Sequence, residues 1–131
     1  GEQVTGYLVA RDATLVMAPL EQESARSQLA AIVDMWRRNL DQPLPVAAKT
    51  ALALVQNGDP RATYNGGFEM TGEVADEALA RLWPDFAALS ADPEWFTCAT
   101  ALYGPLADWV DQHVVVHPLA KDEEWARRLI R

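Results

Sequence analysis

Between Met35 and Thr50 the chain reads Met-Trp-Arg-Arg-Asn-Leu-Asp-Gln-Pro-Leu-Pro-Val-Ala-Ala-Lys-Thr. A residue that precedes proline avoids the α region, so Pro43 and Pro45 impose an extended bend that a helix cannot cross. One helix must therefore end before the bend, on Trp36, Arg37 and Arg38, and another must begin after it, at Val46.

Upstream of that pair the pattern is different. Val4–Ala10 and Thr14–Ala18 are rich in β-branched and apolar residues, and Arg11-Asp-Ala13 separates them, which predicts a hairpin. Pro19 closes the second run because it has no N–H for a ladder. From about Glu21 to Asn39 the spacing becomes helical, with Ala25, Leu29, Ile32, Val33, Trp36 and Leu40 on one stripe expected to face the core. Glu21 and Glu23 in the first turn and Arg37 and Arg38 in the last complement the helix dipole. Downstream, a helix is expected over Val46–Gln56 with Asn57-Gly58 as its C-cap, and a short one from Asp59-Pro60 to Asn65-Gly-Gly67. Further helices are expected over Glu73–Trp83, from Asp92-Pro93 to Gly104-Pro105, and again through Leu106, Trp109 and Val110. His113-Val-Val-Val-His117 fits either strand or helix, and Asp122–Arg131 fits a terminal helix. The fold class is α+β: a small antiparallel sheet packed with several helices in a single domain, residues 1–131.

Half the residues are hydrophobic, enough for a core without disulfide staples, and one cysteine, Cys98, excludes an internal disulfide. Charges interrupt every apolar run before it reaches about 18 residues, and no basic leader precedes an apolar segment, so a cytoplasmic protein without membrane contact is expected. The formal charge of −8 is uneven. Residues 1–66 hold six Lys/Arg against seven Asp/Glu, whereas residues 67–131 hold five against twelve. Phosphate neutralisation supplies most non-specific DNA affinity, so any DNA contact is expected to be local and confined to the first half. Arg26, Arg37, Arg38 and Lys49, with Trp36 nearby, are the candidates for contacting phosphate.

A nuclease built on a hairpin of this kind sets carboxylates and a lysine on adjacent strands to hold Mg²⁺ and steady a water. Here the second strand and its exit read Leu15-Val-Met-Ala-Pro-Leu20, with neither group. No catalytic residue, metal site or cofactor is expected. His113 and His117 are two ligands at most, and Gly66-Gly67 lacks the lysine of a phosphate-binding loop. Five tryptophans, at 36, 83, 95, 109 and 125, fall mostly at core spacing; exposure of more than one would point to a protein interface.

Four stretches, taken in order, carry a resemblance. They are Trp36-Arg-Arg-Asn-Leu with Pro43-Leu44 and Lys49-Thr50; Arg61-Ala-Thr-Tyr-Asn-Gly-Gly67; Gly72-Glu73 followed by Ala80-Arg-Leu-Trp-Pro-Asp-Phe86; and Leu102-Tyr-Gly-Pro-Leu106. Together they resemble the C-terminal region of RecC, the gamma subunit of bacterial exodeoxyribonuclease V, over about Leu15 to Trp109. The segment from Gln56 to Pro60 is short for that family, and the tail after Val110 does not match it. The resemblance implies that residues 1–131 are a C-terminal fragment of a larger subunit, with a degenerate restriction-nuclease-like core without catalytic acids. It also implies a place in a heterotrimer with a helicase-nuclease beta subunit and a helicase alpha subunit, with DNA met through the assembled complex in double-strand-break repair. Two other readings stay open from the residues: an active nuclease using acids such as Asp12 and Asp34, and an acidic helical interaction module unrelated to recombination.

Overall fold

The computed structural model describes residues 2–119; the expected helix over Asp122–Arg131 and Trp125 lie outside the described residues. Elements run β1 (Gly6–Val9), β2 (Ala13–Met17), α1 (Gln22–Asp41), α2 (Ala48–Val55), α3 (Pro60–Asn65), a 3₁₀ turn (Glu73–Ala75), α4 (Glu77–Leu82), α5 (Phe86–Ala91), α6 (Trp95–His113) and β3 (Val114–Pro118). The class is α+β, as the periodicities require. The described residues divide into two compact units, 2–25 with 109–119 and 26–108, the division falling inside α1 and α6.

The first unit is a three-stranded antiparallel sheet in the order β1-β2-β3. Leu8 pairs with Leu15 and Leu15 with Val116, which sets those three on one face; Tyr7, Val16 and Val115 line up on the other. The ambiguous His113–His117 segment is therefore mostly strand. Three consecutive valines fit a pleated surface better than a helix turn, where branched side chains crowd the preceding residues.

The second unit holds the core. Ala47, Ala51, Tyr64, Leu89, Trp95 and Ala99 are buried together, with Val74, Leu79, Trp83 and Phe86 packed around them. Phe86 and Trp95 meet edge to face, with ring centroids 5.9 Å apart. Asn39 closes the proline bend, its Oδ1 accepting the Leu44 N–H at 2.9 Å. Asn57 ends α2 in the left-handed region (φ 58°), and the Gly58 N–H donates back to the Ala53 carbonyl at 2.7 Å. Asp59 caps α3 through the Ala62 N–H at 2.9 Å, with Pro60 in the first turn.

Three expectations change. The helix expected over Glu73–Trp83 is two pieces, because Asp76 adopts an extended conformation and caps α4, its Oδ1 accepting from the Ala78 and Leu79 N–H groups. A further helix, α5, follows Pro84; Asp85 caps it through the Ala88 N–H at 2.8 Å. Gly104-Pro105 does not interrupt α6, which runs through it to His113. Proline crowds the Cβ of the residue before it, and Gly104 has none. The Ala101 residue, whose carbonyl loses a helical N–H partner at Pro105, is exposed.

Candidate interaction surface

Helix α1 is 20 residues long and contains no buried residue. Its apolar stripe, expected to face the core, is uncovered: Leu29 is 62 % exposed, Ile32 52 %, Trp36 59 % and Leu40 66 %. The stripe formed because helical spacing alone aligns these residues. Its burial required a partner layer, and the second unit covers only one margin of it. There Ile32, Met35 and Trp36 border an open apolar groove of about 310 Å³ with Leu44, Leu102 and Tyr103. Single folded chains rarely leave an apolar strip of this length facing water unless another molecule covers it.

The four basic candidates lie exposed in the second unit. Arg26 and Arg37 are eleven residues apart, which brings them to the same side of α1, roughly 16 Å from one another along the axis. Neither forms an ion pair among the described residues. Arg38 is engaged: its Nη2 lies 3.0 Å from Oε1 of Glu94, in a pair about half exposed on both sides. Lys49 lies in the first turn of α2, its side chain exposed and its backbone N–H donated to Glu73.

Several of the residues that carry the resemblance are tied to one another. Glu73 accepts the Lys49 N–H at 2.9 Å on Oε1, and the Thr50 N–H and hydroxyl at 2.8 Å each on Oε2. The Tyr64 hydroxyl donates to the Trp83 carbonyl at 2.6 Å, and Oδ1 of Asn65 accepts the Phe86 N–H at 2.8 Å. Burial, reinforced by Glu73, Asp85 and Asp76, pushes the Tyr64 hydroxyl above its ordinary pKa. Tyr103 is raised for the same first reason, with Glu73 adding to it. Gly66 (φ +73°) and Gly72 pass so closely that a Cβ on Gly72 would lie 2.3 Å from the Tyr64 carbonyl oxygen. These partners escaped sequence reasoning because each bond joins residues about 20 positions apart.

The strands carry no carboxylate and no lysine among the described residues, reading Gly-Tyr-Leu-Val, Ala-Thr-Leu-Val-Met and Val-Val-Val-His-Pro. Asp12 lies in the β1–β2 turn of the first unit, and Asp34 is exposed on α1 in the second. His113 ends α6, whereas His117 sits on β3 opposite Thr14. No group of three or more His, Cys, Asp or Glu side chains among the described residues is placed to hold a metal ion. Of the tryptophans, Trp95 is buried, Trp83 and Trp109 are half-buried, and Trp36 is exposed. Cys98 is buried, and burial pushes its thiol pKa up against the opposing pull of the Arg38 guanidinium. No helix among the described residues is long and apolar enough to cross a membrane.

Residues 6–59 match the family model described as the RecC C-terminal domain. That stretch takes in the hairpin, α1, the proline bend and α2. No curated protein and no solved structure matches the chain.

Proposed function

We propose that this chain, with the RecC C-terminal domain signature over residues 6–59, is a non-catalytic domain of an exodeoxyribonuclease V gamma subunit. Its task in that reading is to hold the helicase-nuclease beta subunit and the helicase alpha subunit together and to help shape the path of DNA strands through the complex. The complex would act in the cytoplasm, in double-strand-break repair by homologous recombination. The family match over the part of the chain that contains α1 carries the proposal.

Two features of the chain support it. The uncovered stripe on α1 gives a subunit a place to pack, and the strands, which carry a degenerate nuclease-like core in this reading, hold no carboxylate to grip Mg²⁺. DNA contact belongs to the assembled complex, with Arg26, Arg37 and Lys49 as the cations free to meet phosphate and Arg38 less so because Glu94 already holds it. A net charge of −8 disfavours DNA binding by this chain on its own.

The test is co-expression of the full-length subunit with its cognate alpha and beta subunits, followed by purification of the complex. A stable ternary complex is expected, and the purified chain alone should show no Mg²⁺-dependent cleavage of linear duplex DNA. Cleavage that disappears on substituting Asp12 or Asp34 would refute the reading, as would failure of the subunits to associate.

A further inference from the structure

Between Gly66 and Gly72 the chain makes a small loop whose tip is apolar and uncovered. Phe68 is 104 % exposed and Met70 51 %. The loop is nonetheless tightly built. Gly66 and Thr71 form an antiparallel bridge, and the Gly67 N–H donates to the Met70 carbonyl at 2.8 Å. Its entrance is fixed by the Tyr64 and Asn65 bonds to Trp83 and Phe86, and its exit by the Glu73 bonds to Lys49 and Thr50. The close approach of Gly66 to Gly72 leaves no room for a side chain on either residue. A backbone held at both ends and across its middle presents one aromatic side chain that contributes no packing to the fold.

We propose that this loop is a preformed anchor: Phe68 and Met70 enter an apolar pocket on a protein partner, and Glu69 between them meets a cationic side chain at the pocket rim. Holding the loop in its bound shape beforehand removes the ordering cost that a flexible segment would carry into the complex. Aromatic anchors in desolvated pockets dominate the energetics of protein interfaces. Charge selects protein over nucleic acid as the occupant. From Asp59 to Asp85 there are six carboxylates, Asp59, Glu69, Glu73, Asp76, Glu77 and Asp85, against two arginines, Arg61 and Arg81. Base stacking on Phe68 would bring phosphates into that field, which repels them. The same field favours a partner with lysine or arginine around its pocket. This inference rests on the assembly reading above, and it assigns to assembly a surface distinct from α1.

The experiment uses the full-length subunit with its cognate alpha and beta subunits, comparing the parent with Phe68→Ala and Glu69→Lys. Affinity for the subunits, affinity for single-stranded DNA and thermal midpoint are measured on each. Phe68→Ala is expected to weaken subunit binding roughly tenfold or more. Its thermal midpoint should be unchanged, since the side chain packs against nothing in the fold. Glu69→Lys is expected to weaken binding several-fold at low salt, with the difference shrinking as salt rises. A parent that binds the subunits while Phe68→Ala binds them equally well overturns the anchor and leaves assembly standing. A parent that binds neither subunit overturns assembly and the anchor with it. Loss of single-stranded DNA affinity in Phe68→Ala with subunit binding intact overturns the anchor in favour of base stacking.

Discussion

The Thr50 N–H and hydroxyl both donate to a single oxygen of Glu73, 23 residues downstream, at 2.8 Å each. Thr50 is completely buried, and the residue before α2, Ala47, has no side chain able to cap it. Glu73 thus supplies from a distance what a serine or aspartate at the N-cap supplies locally, and its charge faces the positive end of the helix.

Replacing Glu73 by Ala should therefore cost about 2 kcal/mol, since it leaves two helix N–H groups and a buried hydroxyl without an acceptor. Glu73→Gln should keep much of that stability, because an amide oxygen can still accept. Urea denaturation of the two variants checks the difference; equal stability of Glu73→Ala and the parent would contradict the cap.

Tyr64→Phe should destabilise by about 1–2 kcal/mol through the unmet Trp83 carbonyl. It should also alter the alkaline limb of the stability profile. Burial raises the folded-state pKa of Tyr64 above its unfolded value near 10. The stability linked to its proton is then fully present below pH 10 and lost as pH rises through the higher folded value. The parent should lose stability steeply above about pH 10, with Tyr103 adding to the fall, and Tyr64→Phe should lose it less steeply. Thermal midpoints measured from pH 8 upward would show this.

The two loop glycines should differ sharply from a third beside them. Gly72→Ala places a Cβ 2.3 Å from the Tyr64 carbonyl oxygen, and Gly66→Ala meets the Gly72 nitrogen at 2.3 Å with φ at +73°. Each is expected to cost more than about 3 kcal/mol or to abolish folding. Gly67 has nothing within 4 Å of a new Cβ, so Gly67→Ala should stay within about 0.5 kcal/mol of the parent. Circular dichroism melts of the three variants provide the comparison.

Substituting Arg38 with Ala should change stability by less than about 0.5 kcal/mol, because its pair with Glu94 is half exposed and screened by water. A larger effect is expected on Cys98. Removing the guanidinium removes a pull that lowers the thiol pKa, so the thiol should ionise at still higher pH than in the parent. Rates of alkylation against pH would report the shift, and a curve displaced toward lower pH would contradict it.

On α1, Leu29→Glu and Leu40→Glu should leave the stability of the isolated chain within about 0.5 kcal/mol, since both residues are more than half exposed. Subunit association should weaken in both. Unchanged association, measured by titration with the purified subunits, would remove α1 from the interface.

Local physics fixed a good deal of this protein in advance. Two prolines placed the break between α1 and α2, runs of β-branched and apolar residues made the hairpin, and Asn57-Gly58 and Asp59-Pro60 marked a helix end and the next start, because each of these acts over a few neighbouring residues. Strands free of carboxylates were equally visible from β1 and β2. Tertiary structure decided what periodicity cannot say: which apolar stripe finds a partner. The stripe on α1 is regular in sequence yet stays in water, while Ala47 and Ala51, unremarked by any pattern, lie in the core. Asp76 and Asp85 cap helices two or three residues on, whereas Glu73 found Thr50 only because the chain between them had folded back. Spacing along a chain determines which side of an element a residue occupies; burial depends on what the rest of the chain brings to that side.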